Sequence, residues 1–123
     1  MKLVKSPADA AVFPDFIEPQ LARLSDAPPT GPSGVHEIKL DGYRTLCRIT
    51  DKKSKGQSQA KSNQLLTRSG LDWTEPYGKL ATACQQIPGQ QTLIDSQIVC
   101  VDEKNRSHFQ LLQKMLKQKK PVD

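Results

Sequence analysis

The residues best suited to chemistry lie in one short run of the chain, Glu37-Ile38-Lys39-Leu40-Asp41-Gly42-Tyr43-Arg44. At the two-residue period of a strand, its acidic and lysine side chains share one face, while Ile38 and Leu40 point to the other face and pack into a core. Gly42 permits a tight turn or the close approach of a ligand, and residues 43–49 return as a second strand. The run therefore predicts a lysine nucleophile that faces a phosphate and is supported from behind by apolar side chains.

A lysine nucleophile must first lose its proton. With a reference pKa near 10.4, only about one lysine in a thousand is neutral at about pH 7.4. Burial in a cleft, a neighbouring cation such as Arg44 and a bound metal ion would each lower the pKa of Lys39. We therefore expect Lys39 to lie in an enclosed, positively charged site.

The elements that must position this run mix strands and helices without regular alternation. Residues 64–68 have the pattern of a strand, and a helix is predicted from an N-cap at Thr74 to the Pro88-Gly89 stop. Residues 91–102 are apolar on both faces and are predicted to form a central strand. Ser107 and Gln110 have capping-box spacing, and an apolar stripe follows in the last helix. The expected fold class is α+β, with a largely antiparallel sheet and flanking helices.

Two segments have the composition of linkers. Residues 1–34 contain six of the nine prolines and are predicted to be an arm that leads into a domain over residues 35–123. Residues 51–63 contain four lysines and few apolar residues, which is typical of a mobile loop between strands. The lysines of this loop could contact nucleic-acid phosphates, although a solvated loop without a partner has the same composition.

Composition limits the class of protein. The 123 residues suffice for one domain with a modest core, and the net charge of +5 suits a polyanionic partner but also many ordinary proteins. Three widely spaced cysteines do not suggest a disulfide framework. The sequence has neither the apolar core of a signal peptide nor a run of about 20 apolar residues. We therefore expect a soluble, cytoplasmic protein with reduced thiols and no membrane contact.

The run around Lys39 resembles Lys-x-Asp-Gly-x-Arg, the first motif of the covalent nucleotidyltransferases. These are the ATP-dependent DNA ligases, RNA ligases and mRNA capping enzymes. Together with Phe16-Ile17-Glu18-Pro19-Gln20-Leu21-Ala22, the chain from about residue 13 to about residue 113 is similar to the ligase domain of bacterial DNA ligase D. The resemblance implies the N-terminal part of an adenylation domain, a partial nucleotidyltransferase (ATP-grasp-like) subdomain, with roles in DNA repair and end joining.

The resemblance also implies a reaction and its site residues. Lys39 would attack the α-phosphate of ATP, with Mg²⁺ on the triphosphate, and the AMP would pass to a 5′-phosphate at a DNA nick. Glu37 would accept a hydrogen bond from the adenine amino group, and Arg44 would contact the ribose or phosphate. Arg68, in Leu66-Thr67-Arg68-Ser69-Gly70, would meet the nucleotide, and Phe109 would stack on the adenine. The Lys39 side chain should therefore lie out of bulk solvent, near the Phe109 ring and the Arg68 guanidinium. A solvated surface lysine and a core phenylalanine remain the ordinary alternatives for Lys39 and Phe109.

The chain departs from the family pattern in two ways. Asp95-Ser96-Gln97-Ile98 replaces Asp-Gly-Glu-Ile, so Gln97 marks a weakened position for the ribose or metal. The later Glu-Gly strand of the family pattern is missing. Lys117-Gln118-Lys119 has the spacing of the phosphate-binding Lys-x-Lys, but we interpret it as a solvated basic tail. Neither the OB-fold domain nor a side chain assigned to metal can be identified. We therefore expect that the chain cannot seal nicks alone.

Three functions stay open at this point. The chain could be the N-terminal part of an ATP-dependent DNA ligase adenylation domain, weak or inactive in isolation. It could be a non-catalytic module, derived from a ligase, that binds nucleic acid or a partner protein through its basic loop and tail. It could also be a nucleotidyltransferase of another kind that a second chain completes. An exposed sheet edge would allow self-association or a completing partner chain.

Overall fold

The computed structural model describes residues 12–52 and 60–118, where three strands and two helices form an α+β fold. The strands are β1 (Tyr43–Lys52), β2 (Ala60–Thr67) and β3 (Thr92–Ile98), and the helices are α1 (Lys79–Cys84) and α2 (Phe109–Lys117). All strand pairs are antiparallel, and the sheet order is β2-β1-β3. The predicted α+β class and antiparallel sheet are confirmed.

The central strand is β1, and the prediction that residues 91–102 form the central strand is wrong. Four side chains of β1 are at most 3% exposed: Thr45, Leu46, Cys47 and Ile49. By contrast, β3 ends at Ile98 and pairs only with β1. Apolar residues on both faces of a segment indicate that both faces are covered. They do not indicate how many strands pair with its backbone, so they could not identify the central strand.

One face of the sheet packs against the helices. Cys47, Ile49 and Leu65 form a core with Tyr77 and Ala81. The helix that contains Ala81 is shorter than predicted, because Gly78, at φ 48°, is its N-cap and Thr74 lies outside it. The Thr74 hydroxyl instead accepts a hydrogen bond from the Leu65 amide, at 2.9 Å. The predicted capping box of the second helix is also wrong, because its N-cap, His108, makes no side-chain cap bond.

The N-terminal arm crosses the opposite face of the sheet, and its described part, residues 12–34, has no helix or strand. Arg48 of β1 attaches the arm to the sheet at three points. Its Nε donates to the Pro14 carbonyl at 2.9 Å, its Nη2 lies 3.0 Å from Asp15 Oδ1, and its guanidinium stacks 4.9 Å from the centre of the Phe13 ring. Leu46, on the same strand face, is 2% exposed.

The three cysteines are free. Burial, followed by the nearby Cys84 thiol, raises the pKa of Cys47 to about 12. The Cys47 thiol is therefore protonated at neutral pH. Neither helix in the described ranges has the length and apolarity that a membrane span requires.

Candidate functional site

The run that contains Lys39 is not a strand, and this part of the prediction is wrong. Residues 35–41 have no regular secondary structure, and pairing with β3 begins only at Tyr43. The two apolar residues expected in the core are instead exposed, Ile38 by 87% and Leu40 by 40%. The alternating pattern meets only one requirement of a strand, and among the described residues no neighbouring strand accepts the backbone hydrogen bonds of this segment.

Side chains from distant parts of the sequence hold the segment instead. Gln97 Nε2, from β3, donates to the Leu40 carbonyl at 2.6 Å. The Asp41 amide donates to Ser107 Oγ, just before α2, at 2.9 Å. Gly42 lies so close to β3 that an added Cβ would be 2.0 Å from the Ile98 carbonyl oxygen. The backbone directly after Lys39 is thereby fixed to β3 and to the start of α2.

The Lys39 side chain extends into solvent and pairs with a neighbouring carboxylate. It is 86% exposed, and its Nζ lies 2.5 Å from Asp41 Oδ1, on a side chain that is 57% exposed. The enclosed site expected from the sequence is therefore absent in the described part of the chain. Any attack by the Lys39 amine would first have to break this ion pair.

Arg44, at the start of β1, is held by β3 and by the arm. Its Nε donates to Asp95 Oδ1 at 2.9 Å and its Nη2 lies 2.5 Å from Asp95 Oδ2, a bidentate pair. Its Nη1 donates to the Gln20 carbonyl. The hydrogen bonds with Asp95 raise the pKa of Arg44, and those with Arg44 lower the pKa of Asp95. A phosphate group would have to compete with the Asp95 carboxylate for this guanidinium.

These residues line one open groove of about 900 Å³. Its walls are residues 20–22 of the arm, the segment 37–40, Arg44, and residues 95–97 of β3. Four of the site residues predicted from the sequence thus come together from three parts of the chain: Glu37, Lys39, Arg44 and Gln97. The groove lies in the size range of small-molecule sites, and its charged lining residues are Glu37, Lys39, Arg44 and Asp95.

The other two predicted nucleotide-binding residues lie elsewhere. Arg68 is exposed in a tight turn after β2, where the Gly70 amide donates to the Thr67 carbonyl at 2.9 Å. The Phe109 ring packs against Tyr43, with 5.1 Å between ring centres and 57° between planes. Tyr43 contacts Trp73 in turn, so Phe109 belongs to an aromatic cluster on the helix face of the sheet. Neither Arg68 nor Phe109 lines the groove.

The carboxylates around the groove fit a divalent cation poorly. Asp41 and Asp95 are each paired with a cationic side chain. Residues 12–52 and 60–118 contain no group of three or more His, Cys, Asp or Glu side chains arranged to hold a metal. We therefore assign no Mg²⁺ ligand among the residues that the structure describes.

The predicted basic loop and basic tail lie largely outside the described residues. The loop predicted over residues 51–63 is too long, because Asp51 and Lys52 belong to β1 and residues 60–63 belong to β2. Residues 53–59 and 119–123 are not described. The prediction that these lysines contact nucleic acid therefore stays a prediction.

Sequence reasoning missed three partners that shape the groove: Asp95, Ser107 and the Gln20 carbonyl. Asp95 was visible as a carboxylate on the strand face that carries Gln97, so its position next to Arg44 could have been anticipated. The other two contacts depend on where the arm and the start of α2 lie, and no local pattern in the sequence indicates this.

The depressed carboxyl pKa of Asp95 predicts a dependence of stability on acid pH. Because the pKa is lower in the folded protein than in the unfolded chain, this contribution is present above about pH 4 and is lost as the pH falls through the folded pKa. Asp72 and Asp102 also have lowered pKa values, chiefly through hydrogen bonds to Thr74 and to His108. The thermal midpoint should therefore be level between about pH 5 and 7 and fall below about pH 4.

Circular dichroism melts across this range would check the expectation. Asp95→Asn should lower the midpoint at pH 7 and give a shallower fall in acid, since its side chain cannot become protonated there. Asp26→Asn, at an exposed position in the arm, is the matched control. An Asp95→Asn profile parallel to that of the wild type would contradict the assignment.

Comparison with known proteins gives relatives of one kind. The chain is 41% identical over 101 residues to the multifunctional non-homologous end joining protein LigD of Pseudomonas aeruginosa. It is 30% identical over 103 residues to the bifunctional non-homologous end joining protein LigD of Bacillus subtilis. These matches cover 82% and 80% of this chain.

The same matches cover only 11% and 15% of the two relatives, so the chain corresponds to a small part of each. No protein-family model matches the chain. No solved structure matches it either. On the sequence matches, the chain is related to a segment of the LigD proteins of non-homologous end joining.

Proposed function

We propose that this chain is the N-terminal part of an ATP-dependent DNA ligase adenylation domain, which forms, or descends from a domain that forms, a lysyl-AMP intermediate during DNA repair by end joining. Its nucleotide site is the groove between the arm, the Lys39 segment and β3. The observation that carries the proposal is the meeting of Glu37, Lys39 and Arg44 in this groove. In the proposed site Glu37 is the hydrogen-bond acceptor for the adenine, Lys39 is the nucleophile and Arg44 is the cation for the phosphate.

The proposed reaction is a displacement at phosphorus. The neutral Lys39 amine attacks the α-phosphate of ATP, a nitrogen–phosphorus bond forms, and the bond to pyrophosphate breaks. The proton lost by the amine passes to solvent or to Asp41, whose carboxylate lies 2.5 Å from Nζ. Arg44 can contribute to phosphate binding once it exchanges the Asp95 carboxylate or the Gln20 carbonyl for a phosphate oxygen. Glu37 would accept from the adenine amino group.

The exposure of Lys39 suggests that the site is incomplete in this chain. The Lys39 side chain is 86% exposed, whereas adenylyl transfer needs a site that excludes water. In the proposed function, another chain or a further part of a longer protein would cover the groove. Among the described strands β3 pairs with β1 alone, so its other edge offers a place for such a completing strand or for a second copy.

The test is incubation of the pure protein with Mg²⁺ and ATP labelled at the α-phosphate, followed by a denaturing gel. We expect a faint labelled band that is stable to alkali and labile to acid, as a phosphoramidate should be. On nicked DNA we expect no sealed product, because the groove is open and leaves the Lys39 side chain 86% exposed. Absence of the adduct at high protein concentration would reject catalysis, and a sealed nick would reject the incomplete-site model.

A second candidate function, a non-catalytic module that binds nucleic acid or a partner, is favoured by the solvent-exposed Lys39 and by the amide at Gln97. If the lysine-rich loop and tail bind DNA, the affinity should fall steeply as salt rises, because bound lysines release counterions from the phosphates. Fluorescence anisotropy at increasing salt would measure this. A flat response to salt would exclude the lysine clusters as the binding surface.

A further inference from the structure

Gln97 occupies the position where the family pattern has glutamate, and its contact in the structure gives it a different use. Its Nε2 lies 2.6 Å from the carbonyl oxygen of Leu40, the residue after Lys39. A carbonyl oxygen only accepts hydrogen bonds, so the amide nitrogen must be the atom that faces it. An ionised glutamate has no donor and would set two oxygens against each other at this point.

We propose that Gln97 is a positioning residue, whose side-chain amide holds the backbone of the Lys39 segment against β3. The residues around it support this role. In the described structure segment 35–41 pairs with no strand, and with Ile38 87% and Leu40 40% exposed, side-chain packing holds it only in part. The described hydrogen bonds to its backbone from elsewhere in the chain are those of Gln97 to Leu40 and of Ser107 to Asp41. Loss of the first leaves residues 37–40 attached mainly through Asp41 and Gly42.

The proposal and the family pattern predict opposite effects of the substitution Gln97→Glu. If the amide only marks a lost ribose or metal ligand, Gln97→Glu restores a functional residue. If the amide holds Leu40, Gln97→Glu removes a hydrogen bond and detaches the segment. The two readings therefore predict opposite results for one substitution.

A first experiment needs no nucleotide and stands apart from the proposed function. Trypsin cuts after Lys39 only when the segment can adapt to the protease, so the rate of cleavage there reports how firmly Leu40 is held. Mass spectrometry of native digests should show cleavage after Lys39 about two- to tenfold faster in Gln97→Glu and Gln97→Met than in the wild type, which is the range for loss of one hydrogen bond. Gln91→Glu, an exposed change just before β3, should leave the rate unchanged.

The digests contain their own check for unfolding. Arg48 lies in the middle of β1, so cleavage after it reports opening of the whole sheet. Faster cleavage after Lys39 with unchanged cleavage after Arg48 supports the proposal. Equal acceleration at both sites, or no acceleration at Lys39, overturns it.

A second experiment rests on the proposed function. If the wild type forms the labelled AMP adduct, Gln97→Glu should form it several-fold more slowly, whereas a faster rate would overturn the positioning role. Failure of the wild type to form any adduct would reject the proposed function. The proteolysis result would still decide the role of Gln97 in that case.

Discussion

Lys39→Arg is expected to abolish the labelled AMP adduct completely. Arginine keeps the positive charge and can keep the ion pair with Asp41, but its guanidinium remains protonated in proteins and is no nucleophile. Because the Lys39 side chain is 86% exposed, the substitution removes no core packing and should leave the fold intact. The loss of adduct would therefore report chemistry at Nζ rather than damage to the structure.

The measurement is the denaturing-gel assay with ATP labelled at the α-phosphate, run beside thermal melts of the same preparations. Lys104→Arg, the same change at an exposed position in the turn before α2, should form as much adduct as the wild type. Full labelling of Lys39→Arg would show that another lysine accepts the AMP. In that event the assignment of Lys39 as the nucleophile would be wrong.

Gly42→Ala is expected to cost the most stability among the substitutions considered, roughly 3 kcal/mol or more of the free energy of unfolding. The added Cβ would lie 2.0 Å from the Ile98 carbonyl oxygen and 2.7 Å from Val99 Cγ1. The carbonyl is backbone and cannot rotate away as a side chain would. Since Tyr43 pairs with Ile98 in the β1–β3 register, relief of the overlap requires the end of the ladder to open.

Urea unfolding followed by circular dichroism would measure the loss. Gly34→Ala is a graded control, because the atoms nearest to its added Cβ are at 3.2 Å and 3.4 Å, and it should cost less than about 1 kcal/mol. If Gly42→Ala were as stable as Gly34→Ala, the close approach of Gly42 to β3 would be refuted. The substitution should also speed tryptic cleavage after Lys39, because Gly42 anchors the end of that segment.

The strands of the sheet and the helices could be predicted from the sequence better than the contacts that form the groove. The strand predicted over residues 43–49 lies within β1, residues 64–67 of the strand predicted over 64–68 lie within β2, and the helix predicted after Ser107 corresponds to α2. Each has a local period that burial of one face imposes. The short α1 was predicted too long. The apolar residues from Tyr77 to Ile87 recur at helical spacing because most of them face the core. Only those within Lys79–Cys84 are in the helix, and turns on both sides of α1 bring Tyr77 and Ile87 to the same core.

The predicted strand at residues 37–41 shows the limit of this reasoning. Alternation of polar and apolar residues is necessary for a half-buried strand, but a strand also needs a neighbour for its backbone. In the described structure β1 lies between β2 and β3, and no strand pairs with residues 37–41. The segment is therefore held by side chains, and its apolar residues are exposed.

The α+β class, the antiparallel pairing and the candidacy of residues 37–44 for phosphate chemistry could be predicted from residue types and their spacing. The contacts of Arg44 with Asp95, of the Gln97 amide with the Leu40 carbonyl and of the Asp41 amide with the Ser107 hydroxyl became visible only in the folded structure. These contacts join residues 51, 57 and 66 positions apart. Local periodicity records which side of an element is buried, whereas contacts at such separation depend on how the elements meet, and that is fixed by packing and hydrogen bonding across the whole fold.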